Sequence, residues 1–124
     1  VNRAVFEIKL HPVGRLYFVF RDSAGVSRIT SKSFGSRASL ERCIAGIRET
    51  APLSEIGAAS DARSEAPRFQ VRESPAGFAF ELIGFEGEII VSSLFHETIA
   101  DCCEALGRFK RESADAALLD SSYN

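Results

Sequence analysis

Cys102 and Cys103, with His96 a few residues upstream, are the side chains of this sequence whose types and spacing come nearest to chemistry. A thiolate beside an imidazole is a nucleophile with its base, and the pair needs hydrogen-bond reach and an orienting third group. His96 with Cys103 or Asp101 is the arrangement on offer. Adjacent residues on a helix point about 100° apart, so two neighbouring thiols do not form a two-ligand metal claw. His11 precedes a proline and has no second ligand at metal spacing; two His and three scattered Cys do not make a zinc set. The sequence contains neither a glycine-rich phosphate loop nor a nucleophile elbow. The expectation is therefore a protein with no catalytic residue, no metal and no cofactor. The competing expectation is a thiol-dependent enzyme or redox sensor using Cys103 with His96.

The chain that must position these groups has 124 residues, 45% of them hydrophobic and 26% charged. That is one domain's worth of chain with enough apolar surface for a core. Fifteen Lys and Arg stand against seventeen Asp and Glu, a net charge of −2. A duplex-binding protein ordinarily carries a basic excess to neutralise phosphates, so nucleic acid is not the expected partner. No apolar run approaches the ~20 residues of a membrane span, and no membrane association is expected. An odd count of three cysteines is too few for a disulfide framework and points to a reducing cytoplasm.

The sequence matches itself. Phe6, Ile8, Pro12 and Gly14 correspond to Phe69, Val71, Pro75 and Gly77 at one constant spacing. The first copy carries an extra residue after Gly14, and beyond it the spacing shortens by that residue. Leu16, Phe18 and Phe20 then correspond to Phe78, Phe80 and Leu82, Gly25 to Gly87, and Ser31 to Ser93. Leu40, Cys43, Ile44 and Ile47 correspond in the same way to Cys102, Ala105, Leu106 and Phe109. Each copy opens with a period-two strand, Val5 to Leu10 or Phe69 to Glu73. A Pro/Gly turn follows, then a second strand with its bulky residues on one face, a Gly turn, and a third strand over Val26 to Ser31 or Glu88 to Ser93.

Ser36 and Thr98 are the expected helix N-caps, the latter with Asp101 at the spacing of a capping box. The four apolar residues after each fall at i, i+3, i+4, i+7 and form one stripe that must pack on a sheet. On this reading Cys43 and Cys102 are core residues, and Cys103 lies at the stripe's margin. The domain plan is a first β3α repeat over 4–50, a linker over 51–67 with a short helical turn around Leu53 to Ala58, a second repeat over 68–112 and a tail over 113–124.

Gly14-x-Leu16-x-Phe18-x-Phe20, Gly25, Ser31, Phe34 and Ile44-x-x-Ile47 resemble the YegP-like family, whose repeat unit carries an aromatic strand, an Asn-Gly turn, a Ser before an aromatic and a closing helix. Gly77, Phe78, Phe80, Leu82, Gly87, Ile90, Ser93 and Phe109 resemble it a second time. The resemblance implies an α+β fold in which two tandem β-β-β-α repeats share one antiparallel sheet with the helices packed on one face. It implies no chemistry and supplies no catalytic residues. His96 departs from the pattern at the usual aromatic, Arg28 at a usual Ile, and Ala24 and Glu86 at the turn Asn. An inward-facing Arg28 would have to leave the core at the sheet edge.

If Leu16, Phe18 and Phe20 face the helices, Tyr17, Val19 and Arg21 face away, as do Glu7, Lys9, Gln70, Arg72, Ala79, Glu81 and Ile83. The candidate binding face is then Tyr17, Val19 and Ile83 as a small apolar hot spot rimmed by Arg21 and Arg72. The expected protein is a cytoplasmic binding or interaction module that meets a protein partner through this face. Both halves of the sheet are supplied by one chain, so a pseudo-symmetric monomer is expected, or a weak dimer through exposed strand edges.

Overall fold

The computed structural model describes residues 3–25, 28–53, 55–58, 68–84 and 86–121. The alternating segments form β1 (Val5–Leu10), β2 (Leu16–Arg21) and β3 (Arg28–Ser31), followed by α1 (Arg37–Thr50), a 3-10 turn (Ala51–Leu53) and β4 (Glu55–Ala58). The second run is β5 (Arg68–Ser74), β6 (Gly77–Ile83), β7 (Ile89–Ser93), α2 (Ile99–Glu112), a 3-10 turn (Ser113–Asp115) and β8 (Ala117–Asp120). Both expected N-caps are in place. The Ser36 side chain accepts from the Ser39 N–H and the Thr98 side chain from the Asp101 N–H.

All eight strands join one sheet in the order β4-β5-β6-β7-β3-β2-β1-β8. The six inner strands run antiparallel to one another, and β3 meets β7 at the centre through Ile29–Ser93, Thr30–Ser92 and Ser31–Val91. The outermost strands differ: β4 is parallel to β5, and β8 is parallel to β1. The sheet is therefore mixed rather than wholly antiparallel. Each edge strand follows a helix and joins the outer strand of the other half. A chain that leaves a sheet through a helix can return parallel, which a tight hairpin does not allow.

One sequence expectation changes and another resolves. The helical turn placed around Leu53 to Ala58 is a 3-10 turn leading into β4, with residues 59–67 lying outside the described residues. Within the tail expected over 113–124, the 117–120 segment docks on the sheet as β8. Cations hold it there. Arg48 of α1 donates to the Ala116 carbonyl at 2.7 Å, Arg37 pairs with Asp120, and Arg3 donates twice to the Asp115 carbonyl at 2.6 and 3.0 Å. Arg28 is also corrected. It is exposed, and its neighbour Ile29 is the buried residue, so no charge enters the core there.

The core lies between one sheet face and both helices. Phe6, Ile8, Phe18, Phe20 and Ile29 from the first half form one cluster with Phe69, Phe80, Leu82 and Val91 from the second. The helices add Leu40, Ile44 and Ile47, and Cys102, Ala105, Leu106 and Phe109. Gly77 permits one close approach, because a Cβ there would run into the His96 carbonyl that pairs with Phe78. His96 thus occupies the bridging position against Phe78 that Phe34 occupies against Leu16. No helix among the described residues is long and apolar enough to cross a membrane. Leu106 is 1% exposed, so Leu106→Ala is expected to lower stability by ~2–5 kcal/mol in urea unfolding. A change below about 0.5 kcal/mol, the size of a surface effect, would contradict this packing.

Candidate binding face

Strand alternation sends every second residue away from the helices. The pairing aligns those residues in a row that crosses the sheet: Leu119, Glu7, Val19, Thr30, Ser92, Glu81 and Gln70. Val19, Ala79 and Ile83 are buried but do not belong to the core cluster, as expected of residues on the opposite side of the sheet. The apolar hot spot expected of Val19 and Ile83 is therefore not an accessible surface. Val19 is wholly covered and Ile83 is 5% exposed, so both form a floor beneath the longer side chains of the face.

Glu81 lies on the same floor, 3% exposed. A buried carboxylate needs partners, and Gln70 Nε2 donates to its Oε1 at 2.8 Å while Arg72 approaches its Oε2 at 3.7 Å. In the first half, Glu7 takes the guanidinium of Arg21 and a 2.7 Å hydrogen bond from the Ser121 hydroxyl. The Arg21 hydrogen bond, followed by that of Ser121, holds the Glu7 carboxyl below its ordinary value of 4.5.

Four cations are among the accessible groups of the face. The side chains of Arg21 and Arg72 are 41% and 53% exposed, Lys9 is partly exposed, and Arg28 is exposed. Tyr17 is half-buried beside Lys9, with the His11 ring 6.2 Å away. Arg21 and Arg28 are direct cross-strand partners. Like charges placed opposite one another oppose the pairing. Glu7 answers Arg21, whereas Arg28 has no acidic partner among the described residues.

Leu94 follows Ser93, the partner of Ile29, and so continues alongside Arg28; it is 59% exposed. Phe95, 42% exposed, lies 5.8 Å beneath the Arg72 guanidinium. The sequence reading places neither Leu94 nor Phe95 at this face. Their signal in the sequence is two bulky apolar residues outside the strand alternation, just before the Thr98 cap.

The thiols fall elsewhere. Cys102 is buried in the core and Cys43 half-buried, and burial pushes both up to about 11. Cys103 is exposed, in a shallow groove lined by Pro52, Leu106 and Lys110. No hydrogen bond joins it to His96 among the described residues, and the His96 backbone is tied to Phe78. Among the described residues no cluster of three or more His, Cys, Asp or Glu could hold a metal.

The electrostatics of Glu7 yield a pH prediction. Its folded carboxyl ionises below 4.5, so its stabilisation is complete above that value and lost as pH falls through the lower folded value. Glu7→Gln is expected to flatten the loss of stability between about pH 5 and acid unfolding, followed by thermal melting. Parallel curves for the two proteins would contradict the assigned ion pair.

No protein-family model matches the chain, and no curated protein matches it. Solved structures do. The solution NMR structure of yegP from E. coli, a protein of unknown function, superposes with a TM-score of 0.79 at 20% identity, over 100% of this chain and 97% of that one. A UPF0339 protein from Shewanella oneidensis, also solved by NMR, gives 0.77 at 13% identity over 96% of this chain and 92% of its own. The chain therefore has the YegP-like fold that its motifs resemble.

Proposed function

We propose that this chain is a non-enzymatic binding module whose helix-free sheet face receives an acidic segment of a partner protein, with Asp or Glu flanking an apolar side chain. The observation that carries this reading is the Arg21–Arg28 cross-strand pair, in which Arg21 has the Glu7 carboxylate and Arg28 has no acidic partner among the described residues. Leu94 and Phe95 offer apolar contact beside it, and Arg72 lies roughly three strand spacings, about 14 Å, from Arg28. A partner carrying negative charge would relieve the like-charge pair, and its apolar side chain would cover Leu94 and Phe95. The net charge of −2 belongs to the whole molecule and leaves this face locally basic.

We also infer that the two halves are a duplicated β-β-β-α unit. Phe18 N–H donates to the Ser31 hydroxyl at 2.9 Å, and Phe80 N–H donates to the Ser93 hydroxyl at the same distance. Each hydroxyl in turn donates to the next carbonyl, of Lys32 or Leu94. Such paired local devices are expected of a repeat rather than of two unrelated segments. A chain that supplies both halves of its sheet has no need of a second copy, so the module is read as a monomer. Its two edge strands have four residues each, short enough to discourage edge-to-edge pairing.

Selection of random peptides displayed on phage tests the partner class. The expected winners carry Asp or Glu next to Leu or Phe, and Arg28→Glu with Arg72→Glu is expected to weaken a winning peptide roughly tenfold or more, equivalent to about 1.4 kcal/mol. Unchanged melting of the double variant would establish that folding is intact. Selection of basic peptides, or equal affinity for the variant, would overturn the reading.

A further inference from the structure

A cavity of about 370 Å³ opens on the helix side of the sheet, between α1 and the turn joining β6 to β7. Cys43, Gly46 and Ile47 wall it from the helix, and Leu82, Gly84 and Ile90 from the sheet. Glu86 and Glu88 line it as well. It is distinct from the arginine face, which lies on the other side of the sheet.

The corresponding place in the other half, between α2 and the β2–β3 turn, is filled by polar side chains. At the spacing that matches Ile47 to Phe109, Gly46 matches Arg108, Thr50 matches Glu112 and Asp22 matches Gly84. Arg108 approaches Asp22 Oδ2 at 3.7 Å. Glu112 accepts from the Ser23 N–H at 2.7 Å and from its hydroxyl at 3.0 Å. Where Arg108 and Glu112 bridge α2 to the β2–β3 turn, the matching place in the other half has two glycines and an opening.

The two glycines play different parts. A Cβ added at Gly46 would meet nothing within 4 Å, so neither packing nor backbone geometry calls for glycine there. Glycine in a helix interior costs roughly 1 kcal/mol relative to alanine, and here its effect is to leave the cavity wall bare. At Gly84 a Cβ would run into the Glu88 carboxylate, so that glycine lets Glu88 fold back over the turn. The Glu86 N–H holds Glu88 there with a 3.1 Å hydrogen bond.

The lining chemistry specifies a ligand class. Leu82, Ile47, Ile90 and the Cys43 thiol give an apolar wall, with burial keeping that thiol protonated. Two acidic residues, Glu86 and Glu88, line the cavity, and one ammonium, Lys32, lies 3.9 Å from Glu88 Oε2. The volume lies near the lower end of the roughly 300–1,000 Å³ range of small-molecule sites. We propose that this cavity binds a small organic amine, with its hydrocarbon body against α1 and Leu82 and its ammonium between Glu86 and Glu88.

Titration of the whole protein with butylamine, isoamylamine and phenethylamine, followed by amide NMR, tests this. The expected result is saturable shifts at Gly46, Gly84 and Ile90 from at least one amine, with 3-phenylpropionate producing none. Gly46→Arg, which installs the side chain found at the corresponding helix position, is expected to abolish the shifts. Gly46→Ala is expected to melt higher than the parent, and Glu88→Gln to keep the cavity yet lose the preference for the amine. Absence of shifts with all three amines, binding of the carboxylate as strong as theirs, or binding that survives Gly46→Arg would overturn the proposal.

Discussion

The Phe109 ring sits where both halves of the chain meet. It packs edge-on against Phe20 at 4.8 Å and Phe69 at 5.9 Å, and lies tilted to Phe80 at 6.1 Å. Phe6 extends the cluster by packing on Phe20 at 5.1 Å. Aromatic pairs of this kind add about 0.5–1.5 kcal/mol each beyond the area they bury. The rings come from β1, β2, β5, β6 and α2, so the core cannot be divided at the midpoint of the chain. The β3–β7 pairing then continues across the sheet the unity that the rings establish below it.

The edge strands bind the halves further. β4, which follows the first helix, extends the second half's side of the sheet, and β8, which follows the second helix, extends the first half's side. The cationic clamps from Arg37 and Arg48 to the chain around β8 serve the same closure. With the frame secured in this way, the places where the halves differ are the ones free to acquire a role. On one face Arg28 stands without an acidic partner among the described residues, and on the other Gly46 leaves an opening.

Most of this frame was legible in the sequence because period two and period 3.6 are strong signals over six or more residues. Val5–Leu10 and both helix caps fell where the pattern placed them. β4 and β8 were not legible. Glu-Ile-Gly-Ala and Ala-Leu-Leu-Asp are too short to establish alternation, and their pairing is imposed from outside by β5 and β1. Arg28 shows how sensitive the reading is to register. A one-residue slip exchanges the faces, and it is Ile29, not Arg28, that enters the core. On the candidate face, Tyr17, Arg21 and Arg72 follow from alternation, but the burial of Val19 and Ile83 depends on neighbours from other strands that one segment cannot reveal.

If one set of rings and two crossed edge strands hold the chain together, it must unfold as a unit. The most direct test is a urea titration followed residue by residue by amide NMR, comparing Phe18 and Ile29 with Phe80 and Val91. The shared core predicts one midpoint for all four within error. A first half and a second half that melt at separate urea concentrations would contradict it.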